Sequence, residues 1–127
     1  MNTTGTKRPA RVAERVKQEL MRMLVRGAVR DPDASGVFVS EVLITADLKL
    51  ARVYIRLTEP DASDGRKRAA VRAMKRASGY LRRQIAPGLD LKHLPELSFF
   101  WDEHFERAAR VEELLAEIGR EREDQHG

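Results

Sequence analysis

Two β-branched runs separated by a short connection constrain the fold of this chain more than any other feature. The first run, VFVSEVLIT, begins at Val37, and the second, KLARVYIRLT, begins at Lys49 after only Ala46, Asp47 and Leu48. Two strands this close in sequence predict an antiparallel hairpin. Because alternate side chains of a strand lie on opposite faces, the second run has one apolar face that must be covered. That face consists of Ala51, Val53, Ile55 and Leu57, and the opposite face consists of Arg52, Tyr54, Arg56 and Thr58.

Helical patterns surround the hairpin. From Pro9 to about Gly27, apolar residues recur at spacings of three and four, which predicts a first helix. After the polar loop EPDASDG, residues 66–76 and 80–85 have the same helical spacing, with Pro87 and Gly88 as the predicted end. The run ELSFFWD predicts a third strand, with Leu97, Phe99 and Trp101 on one face and Ser98 and Phe100 on the other. A last amphipathic helix is predicted around Val111, Leu114, Leu115 and Ile118.

Three small residues, Ala77, Ser78 and Gly79, interrupt the second helical stretch. Glycine in a helix costs about 1 kcal/mol relative to alanine, and serine competes for backbone hydrogen bonds. We therefore predict a break here, after which the first amide N–H groups of a new helix point outward. Such groups and the positive end of the helix dipole favour a phosphate. A purely structural alternative is that the small residues let two helices cross closely.

These elements give the order α-β-β-α-kink-α-β-α and an α+β fold in which helices cover a three-stranded sheet. A chain of 127 residues has the length of one domain. We assign residues 1–8 to a flexible N-terminus, 9–119 to the domain and 120–127 to a flexible polar tail.

The two signs of charge are segregated along the chain. Eight Lys or Arg and two Glu lie between Lys7 and Arg30, and eight Lys or Arg and no acid lie between Gly65 and Leu89. From Glu96 to Asp124 the balance reverses to ten acids against four Arg. This pattern indicates a basic face suited to nucleic acid and an acidic face, although a charge run is also typical of a solvated helix.

Composition excludes several other classes. The chain has no cysteine, which removes disulfide frameworks and thiolate metal sites. The N-terminus lacks the apolar core of a signal peptide, and no later stretch approaches the roughly 18 apolar residues of a membrane span. We therefore expect a cytoplasmic protein. No heptad seam is present, which favours a monomer.

Enzymatic interpretations find little support. His93, His104 and His126 have no metal-ligand spacing, and no phosphate-binding glycine loop of the G-x-x-x-x-G-K-[ST] type occurs. The segment WDEHFE contains Asp102, Glu103, His104 and Glu106, and it is more typical of an exposed acidic turn than of a cation site. Phe99, Phe100 and Trp101 suggest an aromatic platform for RNA, but Phe99 and Trp101 share a face with Leu97, which is typical of core. We expect no catalytic residue, no metal and no cofactor.

Four segments together resemble the bacterial ribosome-binding factor A family. They are RPARVAERVKQELMRML, VFVSEVLITADLKLARVYI, AMKRASGYLRRQI and LPELSFFWDEHFERAARVEELL, and the similarity runs from about Arg8 to Ile118. The resemblance implies a fold like type II KH domains, in which an interhelical Ala-x-Gly kink replaces the usual Gly-x-x-Gly clamp. Ala77, Ser78 and Gly79 match that kink.

The resemblance also implies a function. Members of that family bind free 30S subunits rather than 70S ribosomes, contact 16S rRNA near its 5′ terminal helix, and support late 30S maturation and 16S rRNA processing, notably in the cold. The predicted rRNA-binding residues are the kink residues Ala77, Ser78 and Gly79 and the basic residues that flank them in the acid-free segment, Arg72, Lys75, Arg76, Arg82 and Arg83, with Lys7, Arg8, Arg11 and Arg15 as a second tier. Tyr80 is expected either to stack on a base or to pack in the core.

A second function class stays open. In it the protein is an interaction adaptor without direct RNA contact, the acidic C-terminal region binds a protein partner, and the basic helices only confer solubility.

Overall fold

The computed structural model describes the backbone of residues 3–126. Side chains are described outside the ranges 3–7, 105–110 and 123–126 and positions 113 and 121. Helix α1 spans Thr3–Val25, strand β1 Val37–Ile44 and strand β2 Leu50–Leu57. Helix α2 spans Asp64–Leu89, strand β3 Glu96–Trp101 and helix α3 Glu103–His126, with a short 3-10 turn at Pro32–Ala34 before β1. None of the described helices is long and apolar enough to cross a membrane.

The sheet confirms the hairpin prediction. The three strands lie in the order β1-β2-β3, with β1 antiparallel and β3 parallel to the central β2. A β-bulge at Ser40 shifts the register of β1 between Val39 and Glu41. The predicted apolar face of β2 is buried throughout, and Phe99 of β3 is buried on the same side. The fold is therefore α+β with a mixed three-stranded sheet.

Helices α1 and α2 cover the apolar face of the sheet. From α1, Ala13, Val16 and Leu20 enter the core at spacings of three and four, as the sequence predicts. The helix begins at Thr3 and contains Pro9, so it starts before the predicted first turn. It ends in a Schellman motif, because Ala28 N–H donates to Met23 O and Gly27 N–H donates to Leu24 O at 3.0 Å each. Gly27 has a φ of +72°, a conformation that glycine adopts readily.

The predicted break at Ala77 to Gly79 is wrong. Helix α2 runs without interruption through these residues, and the Ser78 hydroxyl donates to Lys75 O at 2.8 Å within the helix. The order of elements is thus α-β-β-α-β-α, and no second helix N-terminus is available to a phosphate.

The physical reason for the unbroken helix lies in its apolar stripe. Met74, Ala77, Leu81 and Ile85 all pack in or against the core, and their spacing keeps one helical phase across the small residues. Burying both halves of this stripe outweighs the cost of about 1 kcal/mol for one glycine in a helix. Helix α2 also continues past Pro87 and ends at Leu89, followed by Asp90 in the left-handed conformation with a φ of 48°.

The sequence correctly identifies the last helix, but this helix is longer than expected. Helix α3 continues to His126, and Val111, Leu114, Leu115 and Ile118 lie exposed on it. The flexibility predicted for residues 1–8 and 120–127 and the KH-like classification stay predictions.

Gly79 offers a direct test of the continuous helix. A Cβ added there would meet only the Arg83 Nη1 atom at 3.5 Å, an ordinary contact. We expect Gly79→Ala to stabilise the protein by about 1 kcal/mol, or roughly 3 to 5 °C, because alanine removes backbone entropy from the unfolded chain. Thermal unfolding followed by circular dichroism measures this change. A fall in the midpoint would show that the helix is broken at this position.

Candidate nucleic-acid interface

The outward face of α2 carries a row of cations. Arg68, Arg72, Lys75 and Arg83 are exposed and lie on one side of the helix, because their spacings of four, three and eight residues approximate whole turns. Among the described residues, none of these four side chains has a hydrogen bond or ion pair. We call these four residues the cation row. At 1.5 Å per residue, the row extends over about 22 Å of helix.

Gly79 lies in the middle of the cation row. It is exposed, and no neighbour among the described residues requires a glycine here, since only the Arg83 guanidinium lies near the Cβ position. The structural alternative, in which glycine permits a close crossing of two helices, is therefore not supported at this residue. The missing side chain leaves the α2 backbone accessible at Gly79, with the Arg83 guanidinium beside it.

Two of the predicted rRNA-binding arginines are instead held by the protein. The Arg82 guanidinium donates to Leu94 O at 2.8 Å and to Pro95 O at 3.1 Å, which ties α2 to the segment before β3. The Arg76 guanidinium lies 2.6 Å from Asp31 Oδ2 and 3.9 Å from Asp33 Oδ2, which ties α2 to the turn before β1. Ala77 and Ser78 are half-buried beside the row rather than on it.

The contact with Arg76 lowers the pKa of the Asp31 carboxyl. The hydrogen bond from Arg76 is the largest of the influences that hold the pKa of the Asp31 carboxyl below its ordinary value, and the Asp33 amide adds to it. Arg76 is thus already paired with a carboxylate in the free protein.

The second-tier residues on α1 divide in a similar way. Arg15 donates to Gly88 O at 2.6 Å and lies 3.9 Å from Glu19 Oε1, so it joins the two helices. Arg8 and Arg11 are exposed, and Arg8 borders a groove that it shares with Arg82. The side chain of Lys7 lies outside the described residues.

A groove beside the cation row separates α2 from β3. Its volume is about 550 Å³, and Arg68, Arg72 and Lys75 line it on the helix side. The opposite wall is formed by the edge strand β3 from Phe99 to Trp101, with Trp101 half-buried and Lys67 Nζ 5.2 Å from the centroid of its ring. Proteins that bind single-stranded nucleic acids combine a basic groove with aromatic side chains, and this groove has both.

The acidic turn after β3 has a structural role at its first residue. Asp102 is buried, and its Oδ2 atom accepts a hydrogen bond from the Ser40 hydroxyl at 2.5 Å. Glu103 and His104 are exposed, and the side chain of Glu106 lies outside the described residues. Tyr80, left open between stacking and core packing, is 43% exposed and borders a small groove between α1 and α2.

Comparison with known proteins decides the family. The family model for ribosome-binding factor A matches residues 8–115. The chain belongs to the ribosome-binding factor A family. A family member from Sorangium cellulosum is 42% identical over 112 residues, which is 88% of this chain and 89% of that protein. One from Gloeobacter violaceus is 36% identical over 93% of this chain and 91% of its own length.

Solved structures from the family have the same fold. The crystal structure of ribosome-binding factor A from Thermus thermophilus superposes with a TM-score of 0.62 at 24% identity, covering 73% of this chain and 93% of that one. The solution structure of a putative ribosome binding factor A from Thermotoga maritima has the same TM-score of 0.62 at 26% identity and covers 73% of this chain and 85% of that one.

Sequence reasoning missed Arg68 and overvalued Arg76 and Arg82. Arg68 precedes Arg72 by four residues and Lys75 by seven, so helical spacing alone would have placed it in the row. The partners of Arg76 and Arg82 are 45, 12 and 13 residues away and carry no local signal.

Substitutions at the adjacent residues Arg82 and Arg83 compare an arginine that the protein holds with one that is exposed. Arg82→Met keeps the apolar stem but leaves two backbone carbonyls without their donor, and we expect it to lower the free energy of unfolding by about 1 to 3 kcal/mol. Arg83→Met is the matched control and should change the free energy of unfolding by less than about 0.5 kcal/mol. Urea titration followed by the fluorescence of Trp101, the one tryptophan of the chain, measures both. Equal effects would refute the distinction.

The Asp31–Arg76 pair is expected to respond to acid. Because the pKa of Asp31 is lowered in the folded state, the stabilisation from this pair is present above the ordinary aspartate pKa and is lost as the pH falls through the lowered value. In Arg76→Gln, we expect the pKa of Asp31 to rise towards its ordinary value in an NMR titration of the carboxyl carbons. The internal control is Asp47, whose pKa is lowered mainly by a hydrogen bond from Thr45 and should not change. An unchanged Asp31 would contradict the pairing.

Proposed function

We propose that this protein is a ribosome assembly factor that binds the small, 30S, ribosomal subunit through 16S rRNA. Membership of the ribosome-binding factor A family supports the partner, and the observation that supports this surface is the cation row on α2, whose side chains have no hydrogen bond or ion pair among the described residues. The proposal includes support for late 30S maturation and 16S rRNA processing, contact near the 5′ terminal helix, a preference for free 30S subunits over 70S ribosomes, and a role in cold adaptation in the cytoplasm.

In this proposal the cation row binds the phosphate backbone. Guanidinium and ammonium groups without internal partners can bind phosphate oxygens and release condensed counterions without breaking a bond inside the protein. The four members of the row repeat along one continuous helix, and three of them, Arg68, Arg72 and Lys75, line the groove beside β3. Arg82 is omitted from the interface, and Arg76 would have to leave Asp31 to take part.

Gly79 suits the same interface because it has no side chain. A phosphate or ribose can approach the α2 backbone closely at Gly79, where it also meets the Arg83 guanidinium, whose Nη1 atom lies 3.5 Å from the Cβ position. The small residues thus act along the side of a continuous helix, and no helix N-terminus is involved.

The proposed mechanism is binding without chemistry. The protein binds best to the rRNA conformation whose phosphates are spaced to match the cation row. By binding that conformation, it increases the fraction of subunits that adopt it. No cofactor or metal takes part in this proposal.

The adaptor function is the second candidate, and one observation favours it. Helix α3 exposes Val111, Leu114, Leu115 and Ile118 at spacings of three and four in the acidic part of the chain. Such a stripe is suited to a protein groove. A partner bound there predicts affinity that responds weakly to salt.

The two functions differ in the salt dependence of binding to purified small subunits. Four phosphate contacts predict that log affinity falls with log salt at a slope of about −3 to −4. Replacing Arg72, Lys75 and Arg83 together by Gln should reduce the magnitude of the slope by about 2 to 3 and weaken binding, because each lost contact removes about one unit.

The matched control removes the same charge elsewhere. Arg26, Lys49 and Lys92 are exposed and lie off the outward face of α2, so their joint replacement by Gln should leave most of the slope intact. Equal losses in both triple variants would show attraction by net charge alone and overturn the assignment. A flat salt response of the unmodified protein would favour the adaptor.

A further inference from the structure

One face of the sheet has no helix packed on it among the described residues. Helices α1 and α2 bury the face that carries Val53, Ile55 and Phe99. On the opposite face, Phe100 is 40% exposed and Leu43 is 48% exposed. We call this opposite side the open face. Its central members along β2 are Arg52, Tyr54 and Arg56.

We propose that the open face binds unpaired RNA bases by stacking them on Tyr54 and Phe100. The two rings are register neighbours on β2 and β3, with centroids 5.7 Å apart and planes tilted by 32°. Adjacent aromatic rings on the exposed side of a sheet form a surface on which bases stack, since every base has a π face. This inference extends the proposed RNA-binding function to a second surface.

Charge on the open face favours a nucleotide over an apolar protein segment. Arg52 is exposed two residues before Tyr54. Arg56 follows two residues after Tyr54, but it is half-buried, its guanidinium donates to Asp102 O at 3.2 Å, and its guanidinium carbon lies 4.8 Å from the centroid of the Trp101 ring. Arg52 is therefore the exposed cation beside the two rings, and it is suited to the phosphate of a base stacked on them. Glu41 is opposite Tyr54 on β1, and Glu96 begins β3 on the same face as Phe100, so the exposed cation of the platform is Arg52 on the central strand.

The platform is continuous with the groove beside α2. Strand β3 is an edge strand, and the same three residues that carry Phe100 form the outer wall of the groove. An RNA strand whose phosphates follow the cation row can therefore pass around β3 and place its next bases over Phe100. This path explains why a large aromatic residue stands exposed at the sheet edge.

The pair differs from the aromatic platform that the sequence argued against. Phe99 is buried and Trp101 half-buried on the core side, as expected. Phe100 points the other way, and its partner Tyr54 comes from a strand more than 40 residues earlier in the chain. The local pattern of β3 alone cannot reveal this pair.

The test compares single-stranded and duplex RNA. The probes are an unstructured oligoadenylate of about eight nucleotides and a duplex RNA of the same length. We expect Tyr54→Leu and Phe100→Leu each to weaken oligoadenylate binding between about five-fold and about a hundred-fold. Duplex affinity and the salt slope should stay unchanged, because stacking requires unpaired bases and the cation row is intact. The controls Tyr54→Phe and Phe100→Tyr keep a ring and should keep the affinity.

Three results would overturn the proposal. The first is unchanged oligoadenylate affinity in both leucine variants, and the second is an equal loss for single strand and duplex. The third is a lower thermal midpoint with unchanged affinity, which would show that α3 or a second copy covers the open face. If the leucine variants do not fold, photo-crosslinking of 4-thiouridine RNA to the unmodified protein replaces them. Crosslinks at Phe100 or Tyr54 support the platform, and crosslinks restricted to other residues refute it.

The experiments distinguish failure of the stacking platform from failure of the cation-row proposal. Loss of binding in the Arg72, Lys75 and Arg83 variant without any effect of the leucine variants would leave the ribosomal function standing and refute the platform. The reverse pattern would support the platform and refute the cation row.

Discussion

The interaction on which the rest of the structure depends is the burial of one unbroken apolar stripe of α2 against the sheet. Ala70, Met74, Leu81 and Ile85 are buried, and Ala77 packs against the same core between them. Because the stripe keeps a single helical phase, it fixes the rotation of the whole helix. The positions of the exposed cations follow from that rotation, as does the direction in which Gly79 faces solvent.

The sequence predicted those parts of the fold that are governed by local periodicity. Alternation along Ala51 to Leu57 identified the buried face of β2 and the hairpin, and the apolar spacing around Val16 identified the core face of α1. The same periodicity, followed from Ala77 to Ile85, was sufficient to predict a continuous α2. Low helix propensity at Gly79 suggests a break, but its cost of about 1 kcal/mol is smaller than the gain from burying the stripe on both sides of it.

The candidate site was less predictable, because the use of an arginine depends on distant partners. Arg82 and Arg83 are adjacent and chemically identical, yet one donates to Leu94 O and Pro95 O while the other faces solvent without a partner among the described residues. Their difference arises from the loop before β3, which only the tertiary structure brings to α2. The pairing of Arg76 with Asp31 has the same origin.

The most direct test of the account is a structure of this protein bound to the small ribosomal subunit. The account predicts that α2 stays continuous through Gly79 and that the side chains of Arg68, Arg72, Lys75 and Arg83 lie about 3 Å from phosphate oxygens of the rRNA. A complex in which this face of α2 points to solvent while other surfaces hold the RNA would contradict it.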